Sequence, residues 1–301
     1  MAMVEKKVPY QVNGREFEGL IVYDDSVKAK RPAVFMQPDW KGIDKDTIGQ
    51  AREVAGQDYV VLMADMFGKG YGEWPKNQDE LRAGMLAVHK DRPFTIACGG
   101  KAYETLVAEA DKLGLIDTGK KVGIGYCAGG GYILEQARDG ADFKAIVVFH
   151  VTNPNPVVPG TPCNIKGRVL AIHGRADPIT PKDKMDAFED ELSKAKVGVS
   201  VLCPGFVKTN IHTSHRNRPA AQASTTPPSP AAMKFAQVLE QLVASGIPAD
   251  KVADDVVHAI QTNRFYILTH PEMKKQVEYR MQQILDEKQP GIDPLIRQLL
   301  G

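Results

Sequence analysis

The stretch KKVGIGYCAGGGYILEQA, from Lys120 to Ala137, decides the fold of this 301-residue chain. An apolar, β-prone run containing Val122 and Ile124 ends at Gly125, and a helix-compatible segment begins within about two residues. This sharp reversal is typical of a nucleophile elbow with Cys127 at its apex. We therefore expect the Cys127 thiol to stand at the carboxyl end of a sheet, facing helix N–H groups whose partial positive charge favours the thiolate.

Two other interpretations of the same stretch of sequence stay open. The spacing of Gly125, Gly129 and Gly131 is also used by short-chain dehydrogenases to bring a cofactor pyrophosphate to a helix N-terminus. That fingerprint belongs on the first strand of a dinucleotide-binding fold, whereas several predicted strands precede this one. A buried, inert cysteine beside a tight turn is the third interpretation. The position in the chain favours the elbow.

Composition excludes several classes of function. The 38 Lys and Arg nearly balance the 37 Asp and Glu, which gives a formal net charge of +1. We therefore expect no nucleic-acid and no membrane partner. No apolar run is long enough to span a bilayer, and the first residues lack the apolar stretch of a signal peptide, so we predict a cytoplasmic protein. The four cysteines show no paired spacing, so we predict no metal site and no disulfide. We also predict no cofactor, because the position of the glycines disfavours a dinucleotide site. Composition does not indicate the oligomeric state.

Alternating strand and helix patterns predict an α/β fold with a mainly parallel sheet and helices on both faces. Asn13-Gly14 between two β-prone runs predicts an N-terminal β-hairpin. A C-terminal helical and strand extension completes the expected fold. The further predicted strands cover residues 31–36, 59–64, 143–149, 168–173, 197–203 and 264–269, and predicted helices include 46–56, 79–88, 103–113 and 272–288.

The order of several motifs makes the chain resemble a known family. From about residue 10 to residue 196 it resembles the dienelactone hydrolases, the cysteine branch of the α/β-hydrolases. The motifs that carry the resemblance are Pro38-Asp39-Trp40-Lys41-Gly42, Ala64-Asp65-Met66-Phe67-Gly68, Gly125-Tyr126-Cys127-Ala128-Gly129-Gly130, Phe149-His150 and His173-Gly174-Arg175-Ala176-Asp177-Pro178. The resemblance implies a hydrolase of small lactones or esters, similar to carboxymethylenebutenolidases, acting on a small unsaturated, carboxylate-bearing lactone.

The resemblance also implies roles for single residues. Cys127 is the implied nucleophile, and Asp177 is the carboxylate that orients a histidine. The backbone N–H groups of Trp40 and Ala128 form the implied oxyanion hole. Asp39 stands where the family usually carries a glutamate that contacts the resting thiol. Separately, we consider Arg82 a candidate anchor for a substrate carboxylate, although an exposed helical arginine is usually just solvated.

The pattern breaks after the strand predicted at residues 197–203. A glycine-rich loop with the catalytic histidine should follow, but the chain reads Pro204-Gly-Phe-Val-Lys-Thr-Asn210. Residues 197–290 resemble the C-terminal third of short-chain dehydrogenases. The catalytic Tyr-x-x-x-Lys pair of that family is absent, since no tyrosine in the sequence has a lysine four residues later. We therefore predict a chimera joined near Val197, with a hydrolase-like domain at 1–197 and a dehydrogenase-like segment at 198–301 that completes or packs on the same sheet.

The seven histidines are sorted by their places in the chain. His150 and His173 end predicted strands before Asp177, so we interpret them as structural. Only His212 and His215 lie in the loop where a triad base should be, and His212 is the preferred candidate. The favoured function is hydrolysis through Cys127, impaired by loss of the usual histidine. The alternatives are an NAD(P)-dependent short-chain oxidoreductase and a catalytically silent chimeric scaffold.

Overall fold

An antiparallel hairpin begins the sheet in the computed structural model, which describes residues 2–73, 76–173, 177, 179–210, 213 and 229–288. Strand β1, Met3–Val12, pairs along its whole length with β2, Arg15–Asp24. The turn residues Asn13 and Gly14 have φ values of 49° and 76°. Both are left-handed, as a two-residue type I′ turn requires. The predicted N-terminal hairpin is confirmed.

Five further strands continue this sheet, and all five run in the same direction. They are β3 (Arg31–Gln37), β4 (Val60–Met63), β5 (Ile116–Tyr126), β6 (Ala145–Phe149) and β7 (Arg168–Ile172). The order is β1-β2-β4-β3-β5-β6-β7, antiparallel up to the β2–β4 pair and parallel from β4 onward. The carboxyl ends of β5, β6 and β7 therefore lie side by side, where sites form in such sheets.

Helices cover both faces of the sheet. Helix α1, Lys45–Ala55, buries Ala51 and Ala55 against one face, together with apolar side chains of β2, β3 and β4. Apolar residues of the other helices join a larger core on the opposite face; these helices are α2 (Gln78–Lys90), α3 (Arg92–Lys112), α4 (Ala128–Arg138) and α5 (Lys182–Lys194). The predicted α/β architecture, a mainly parallel sheet with helices on both faces, is confirmed.

Helix α3 is longer than the sequence suggested. The predicted helix at residues 103–113 begins instead at Arg92. Gly99 and Gly100 lower the helix propensity of this first half, which explains the error. The Asp91 carboxylate caps the helix by accepting the Phe94 N–H at 3.0 Å, and Cys98 is fully buried. Tertiary packing and a side-chain cap thus outweigh weak local propensity.

Backbone contacts divide the chain into two compact units, Met1–Val199 and Ser200–Gly301. Around the second unit the elements are β8 (Val199–Cys203), α6 (Pro230–Ala244), α7 (Ala249–Gln261), β9 (Tyr266–Leu268) and α8 (Lys274–Leu285). Strands β8 and β9 pair in parallel, and Val243, Val256 and Ile267 are buried. The domain roles expected for residues 1–197 and 198–301 stay predictions. No helix in the described ranges is long and apolar enough to cross a membrane.

Candidate active site

The strand-to-helix reversal expected at Cys127 is present. Strand β5 ends at Tyr126 and α4 begins at Ala128, so Cys127 alone makes the turn. Its backbone has φ 52° and ψ −113°, in the left-handed region that non-glycine residues rarely occupy. The Cys127 N–H donates to the carbonyl oxygen of Phe149 at 2.9 Å, which ties the apex to the end of β6. The surrounding structure thus holds the nucleophile candidate in a strained conformation.

Glycines make this turn sterically possible. A Cβ at Gly125 would lie 2.6 Å from the carbonyl oxygen of Gly129, so strand and helix touch there. A Cβ at Gly129 would lie 2.2 Å from the carbonyl oxygen of Gln37 and 2.4 Å from that of Pro38. The first turn of α4 therefore packs directly on the loop that follows β3. Three parts of the fold meet at the elbow without room for a methyl group.

Replacing Gly129 with alanine should destabilise the protein by about 1–3 kcal/mol or more, because the new methyl group meets backbone oxygens that cannot rotate away. Chemical denaturation of both proteins measures this loss. The matched control is Gly100→Ala in α3, where a Cβ meets nothing within 4 Å. That change should stabilise by about 0.4–1 kcal/mol. Equal effects of the two variants would show that the elbow is not tightly packed.

Cys127 is half-buried at the turn. Its Sγ lies 3.3 Å from Oγ1 of Thr152, and the Ala128 N–H is hydrogen-bonded to it. Burial raises the pKa of the thiol, and the charges of Asp39 and Asp177 add to this, while the two hydrogen bonds lower it. The net shift is upward. The Ala128 N–H at the helix N-terminus favours the thiolate, as expected, but desolvation outweighs this effect.

The loop after β3 presents a free backbone N–H beside the elbow. The Asp39 carboxylate accepts the N–H of Lys41 at 2.8 Å, and the Asp39 carbonyl oxygen accepts the N–H of Gly42 at 3.1 Å. Within the described ranges the N–H of Trp40, between them, donates to no other group. The contact of α4 with Gln37 and Pro38 brings this loop next to the Ala128 N–H. The oxyanion hole expected from the N–H groups of Trp40 and Ala128 stays a prediction.

The Asp39 side chain is committed to its own turn rather than to the thiol. Burial raises its pKa, although the hydrogen bond from the Lys41 N–H and the charge of Lys41 oppose that effect. It influences Cys127 by its charge, which raises the pKa of the thiol. Its carboxylate therefore favours a neutral thiol in the resting protein.

Asp177 lies in the loop after β7 with a largely buried side chain, 7% exposed. Its Oδ1 accepts the N–H groups of Ile179 at 2.7 Å and Thr180 at 3.0 Å. Burial by itself would raise its pKa, but these hydrogen bonds and the nearby imidazoles of His150 and His173 lower it below the usual range. The carboxylate is therefore fixed and ionised at neutral pH.

The imidazole on this carboxylate is that of His150. Its Nε2 lies 2.6 Å from Oδ2 of Asp177. The interpretation of His150 as merely structural missed this contact, since the family pattern expects the histidine after the next strand. The signal was its place directly after β6, because β5, β6 and β7 are neighbours whose ends share one edge. The predicted base His212, like His215, lies outside the described residues.

Two further expectations concern ligands. Arg82, the candidate carboxylate anchor, is exposed on α2, and no contact links it to Cys127 within the described part of the chain. Among the described residues, no group of three or more His, Cys, Asp or Glu side chains is arranged to hold a metal ion.

Comparison with known proteins supports the hydrolase family and its fold. The sequence profile of the Dienelactone hydrolase family matches residues 17–213. A solved structure named m3DLH is 28% identical, covers 82% of this chain and 100% of its own, and has a TM-score of 0.64. A dienelactone hydrolase-like promiscuous phosphotriesterase from metagenomic libraries is 26% identical, covers 80% of this chain and 99% of its own, and has a TM-score of 0.62.

A curated dehydrogenase matches a shorter stretch. The CLA biosynthesis dehydrogenase/reductase of Lactiplantibacillus plantarum is 35% identical over 109 residues, which is 35% of this chain. The match spans only 38% of that enzyme's length. A dehydrogenase-like C-terminal segment therefore remains a prediction rather than a finding.

Proposed function

The chain belongs to the dienelactone hydrolase family and is a hydrolase, and on that premise we propose that it opens small lactones or esters with Cys127 as nucleophile. The observation that carries the proposal is the strained elbow, where Cys127 has φ 52° at the start of α4. A side chain held at such a turn is available to a substrate above the sheet. The cost of the strain is consistent with a functional demand at this position.

In the proposed reaction the sulfur of Cys127 forms a bond to the carbonyl carbon as the thiol proton leaves to an imidazole. The carbonyl electron pair moves to oxygen, and the N–H groups of Trp40 and Ala128 stabilise the negative charge. The carbon–oxygen bond of the ester then breaks, and the imidazolium returns its proton to the departing oxygen. Water hydrolyses the resulting thioester and releases the acid and the free thiol.

Asp177 has the role of orienting the imidazole in this scheme. Its two backbone hydrogen bonds on Oδ1 leave Oδ2 for a histidine. His212 stays a predicted base. Arg82 stays a predicted anchor for a carboxylate on the substrate, and a small unsaturated, carboxylate-bearing lactone stays the predicted substrate. The substrate follows from the resemblance and His212 from its place in the predicted loop after β8, and a variant of each residue tests its role.

The two alternative functions make different predictions. An NAD(P)-dependent oxidoreductase would bind NADH, which fluorescence titration measures, but the chain lacks the tyrosine and lysine pair of short-chain dehydrogenases. A silent chimera joined near Val197 would melt cooperatively yet hydrolyse nothing. The elbow geometry favours the hydrolase over both, because neither alternative requires a strained cysteine at the head of α4.

Alkylation tests the nucleophile directly. Cys203 is exposed, so the experiment uses a Cys203→Ser background, which should keep full activity. Iodoacetamide should then abolish hydrolysis in proportion to labelling of Cys127, located by peptide mass. Because burial raises the pKa of this thiol, the labelling rate should still climb above about pH 8.5, where an ordinary cysteine is half ionised.

The control for this experiment is Cys127→Ala in the same background. It should fold normally and hydrolyse neither activated esters nor lactones above the rate in buffer. Hydrolysis that survives stoichiometric labelling of Cys127, or that is equal in Cys127→Ala, would remove the proposed nucleophile.

A further inference from the structure

Residues before and after His150 in the chain contact Cys127. The carbonyl oxygen of Phe149 accepts the Cys127 N–H at 2.9 Å, and the Thr152 N–H donates to the carbonyl oxygen of Cys127 at 3.0 Å. The Thr152 hydroxyl lies 3.3 Å from the sulfur. His150 therefore belongs to a short segment whose neighbours contact the backbone and the side chain of the nucleophile candidate.

His150 itself is held in an uncommon conformation. Its φ is 50°, in the left-handed region, and its N–H donates to the carbonyl oxygen of Ile172 at 2.8 Å. Its ring stacks on that of His173, with centroids 6.1 Å apart and planes 9° apart. His173 is in turn fixed by a contact of 2.9 Å between its Nε2 and the carbonyl oxygen of Thr180. The surroundings thus determine where the His150 ring lies.

The contact with Asp177 selects one tautomer of His150. The carboxylate accepts from Nε2, 2.6 Å away, so the neutral ring carries its proton on that nitrogen. The lone pair is then on Nδ1, which makes Nδ1 the basic atom. The side chain is 47% exposed, whereas that of Asp177 is 7% exposed. A buried carboxylate behind a half-exposed imidazole is the arrangement of a general base with its orienting acid.

We propose that His150 is the base that accepts the proton of Cys127, so that the catalytic imidazole follows β6 rather than β8. This inference rests on the proposed function. In the acylation step the S–H bond breaks, its proton moves to Nδ1, and the sulfur forms a bond to the acyl carbon. The imidazolium then gives this proton to the departing oxygen, and the neutral ring returns. No oxidant or cofactor is required.

Other titratable groups surround this pair. Among the described residues they are Asp177 at Nε2 of His150, His173 stacked on its ring, and Cys127 beside Thr152. Asp39 acts on the thiol by its charge from the loop after β3. The negative charges of Asp39 and Asp177 discourage a resting thiolate, so the base has to take the proton during attack on the substrate.

The test is single-turnover acylation of Cys127 by a p-nitrophenyl ester across pH, in the full chain. His150→Gln should acylate at least about 100-fold more slowly than the parent near pH 7, since a missing general base forfeits that much. At a pH above the raised pKa of the Cys127 thiol, the thiol ionises without help, and the two rates should converge. Added imidazole should partly restore His150→Ala. Thermal melting checks that each variant is folded.

Three outcomes would overturn the inference. One is the same pH profile in His150→Gln and the parent. Another is a loss in His150→Gln that persists unchanged at a pH where alkylation shows that Cys127 is fully ionised, which would mark a purely structural role. The last is loss of the neutral-pH rate in His212→Gln or His215→Gln but not in His150→Gln. If Cys127→Ala releases nitrophenol as fast as the parent, the proposed function itself fails, which separates the two failures.

Discussion

Replacing Asp177 with asparagine should lower kcat of ester hydrolysis by about 100- to 10,000-fold while leaving the thermal melting temperature nearly unchanged. Asparagine keeps the Oδ1 that accepts the N–H groups of Ile179 and Thr180, so the turn after β7 is retained. Its amide nitrogen, however, would donate toward Nε2 of His150 where the carboxylate now accepts. The imidazole would then hold its proton on the wrong nitrogen, and its basic atom would face away from the reaction.

Asp177→Ala separates the two functions of this carboxylate. Alanine removes the turn hydrogen bonds as well, so it should lose stability and activity together. The charge control is Asp186→Asn, which removes an exposed carboxylate from α5 and its contact with Lys182. That variant should keep the parental rate. Parental kcat in Asp177→Asn would mean that Asp177 does not orient the base.

Replacing Arg138 with methionine should lower the free energy of unfolding by about 3–5 kcal/mol, because a buried carboxylate then loses its cationic partner. The guanidinium is fully buried and binds Glu191 with Nε and Nη2, each at 2.7 Å. It also binds Glu135 at 3.0 Å and the carbonyl oxygen of Pro154 at 2.5 Å. One cation thus connects α4, α5 and the loop that follows β6. Urea denaturation at neutral pH measures the loss.

A double variant tests that explanation. Arg138→Met combined with Glu191→Met removes both charges, and Glu135 keeps its pair with Arg92 at 2.7 Å. Much of the lost stability should then return. Lys194→Met breaks an exposed pair with Asp190 on the same helix and should cost about 0.5 kcal/mol or less. A loss in Arg138→Met as small as in Lys194→Met would contradict a buried network.

Local sequence patterns were sufficient for much of the fold. Asn13-Gly14 indicated the hairpin because only a few residue types tolerate two left-handed positions. The elbow around Cys127 was readable because glycines stand where strand and helix touch. The first half of α3 was not readable, since its helicity depends on a cap at Asp91 and on burial of Cys98. Those are tertiary effects that no local pattern encodes.

The candidate site shows a similar division. Cys127 and Asp177 follow strands whose ends share one edge, so their proximity was predictable from the topology. The contact between Asp177 and His150 was missed because the family pattern placed the histidine later in the chain. The upward shift of the thiol pKa was also out of reach. The shift depends on desolvation of the thiol, which the sequence does not indicate. The sequence indicates only the helix N-terminus, whose N–H groups lower the thiol pKa.

The hydrogen bonds of Arg138 determine where this chain can be recombined with segments of other proteins. Its partners Glu135, Pro154 and Glu191 all precede Val199, as does Asn164, whose side chain donates to the Arg138 carbonyl oxygen at 3.0 Å. A segment exchanged downstream of Val199 therefore leaves this cation fully neutralised. A crossover upstream of α5 would replace Glu191 by a residue of the donor protein and could leave the buried Arg138 guanidinium without this carboxylate. Recombinants that keep Glu191 should consequently tolerate a foreign C-terminal half far better than those that lose it.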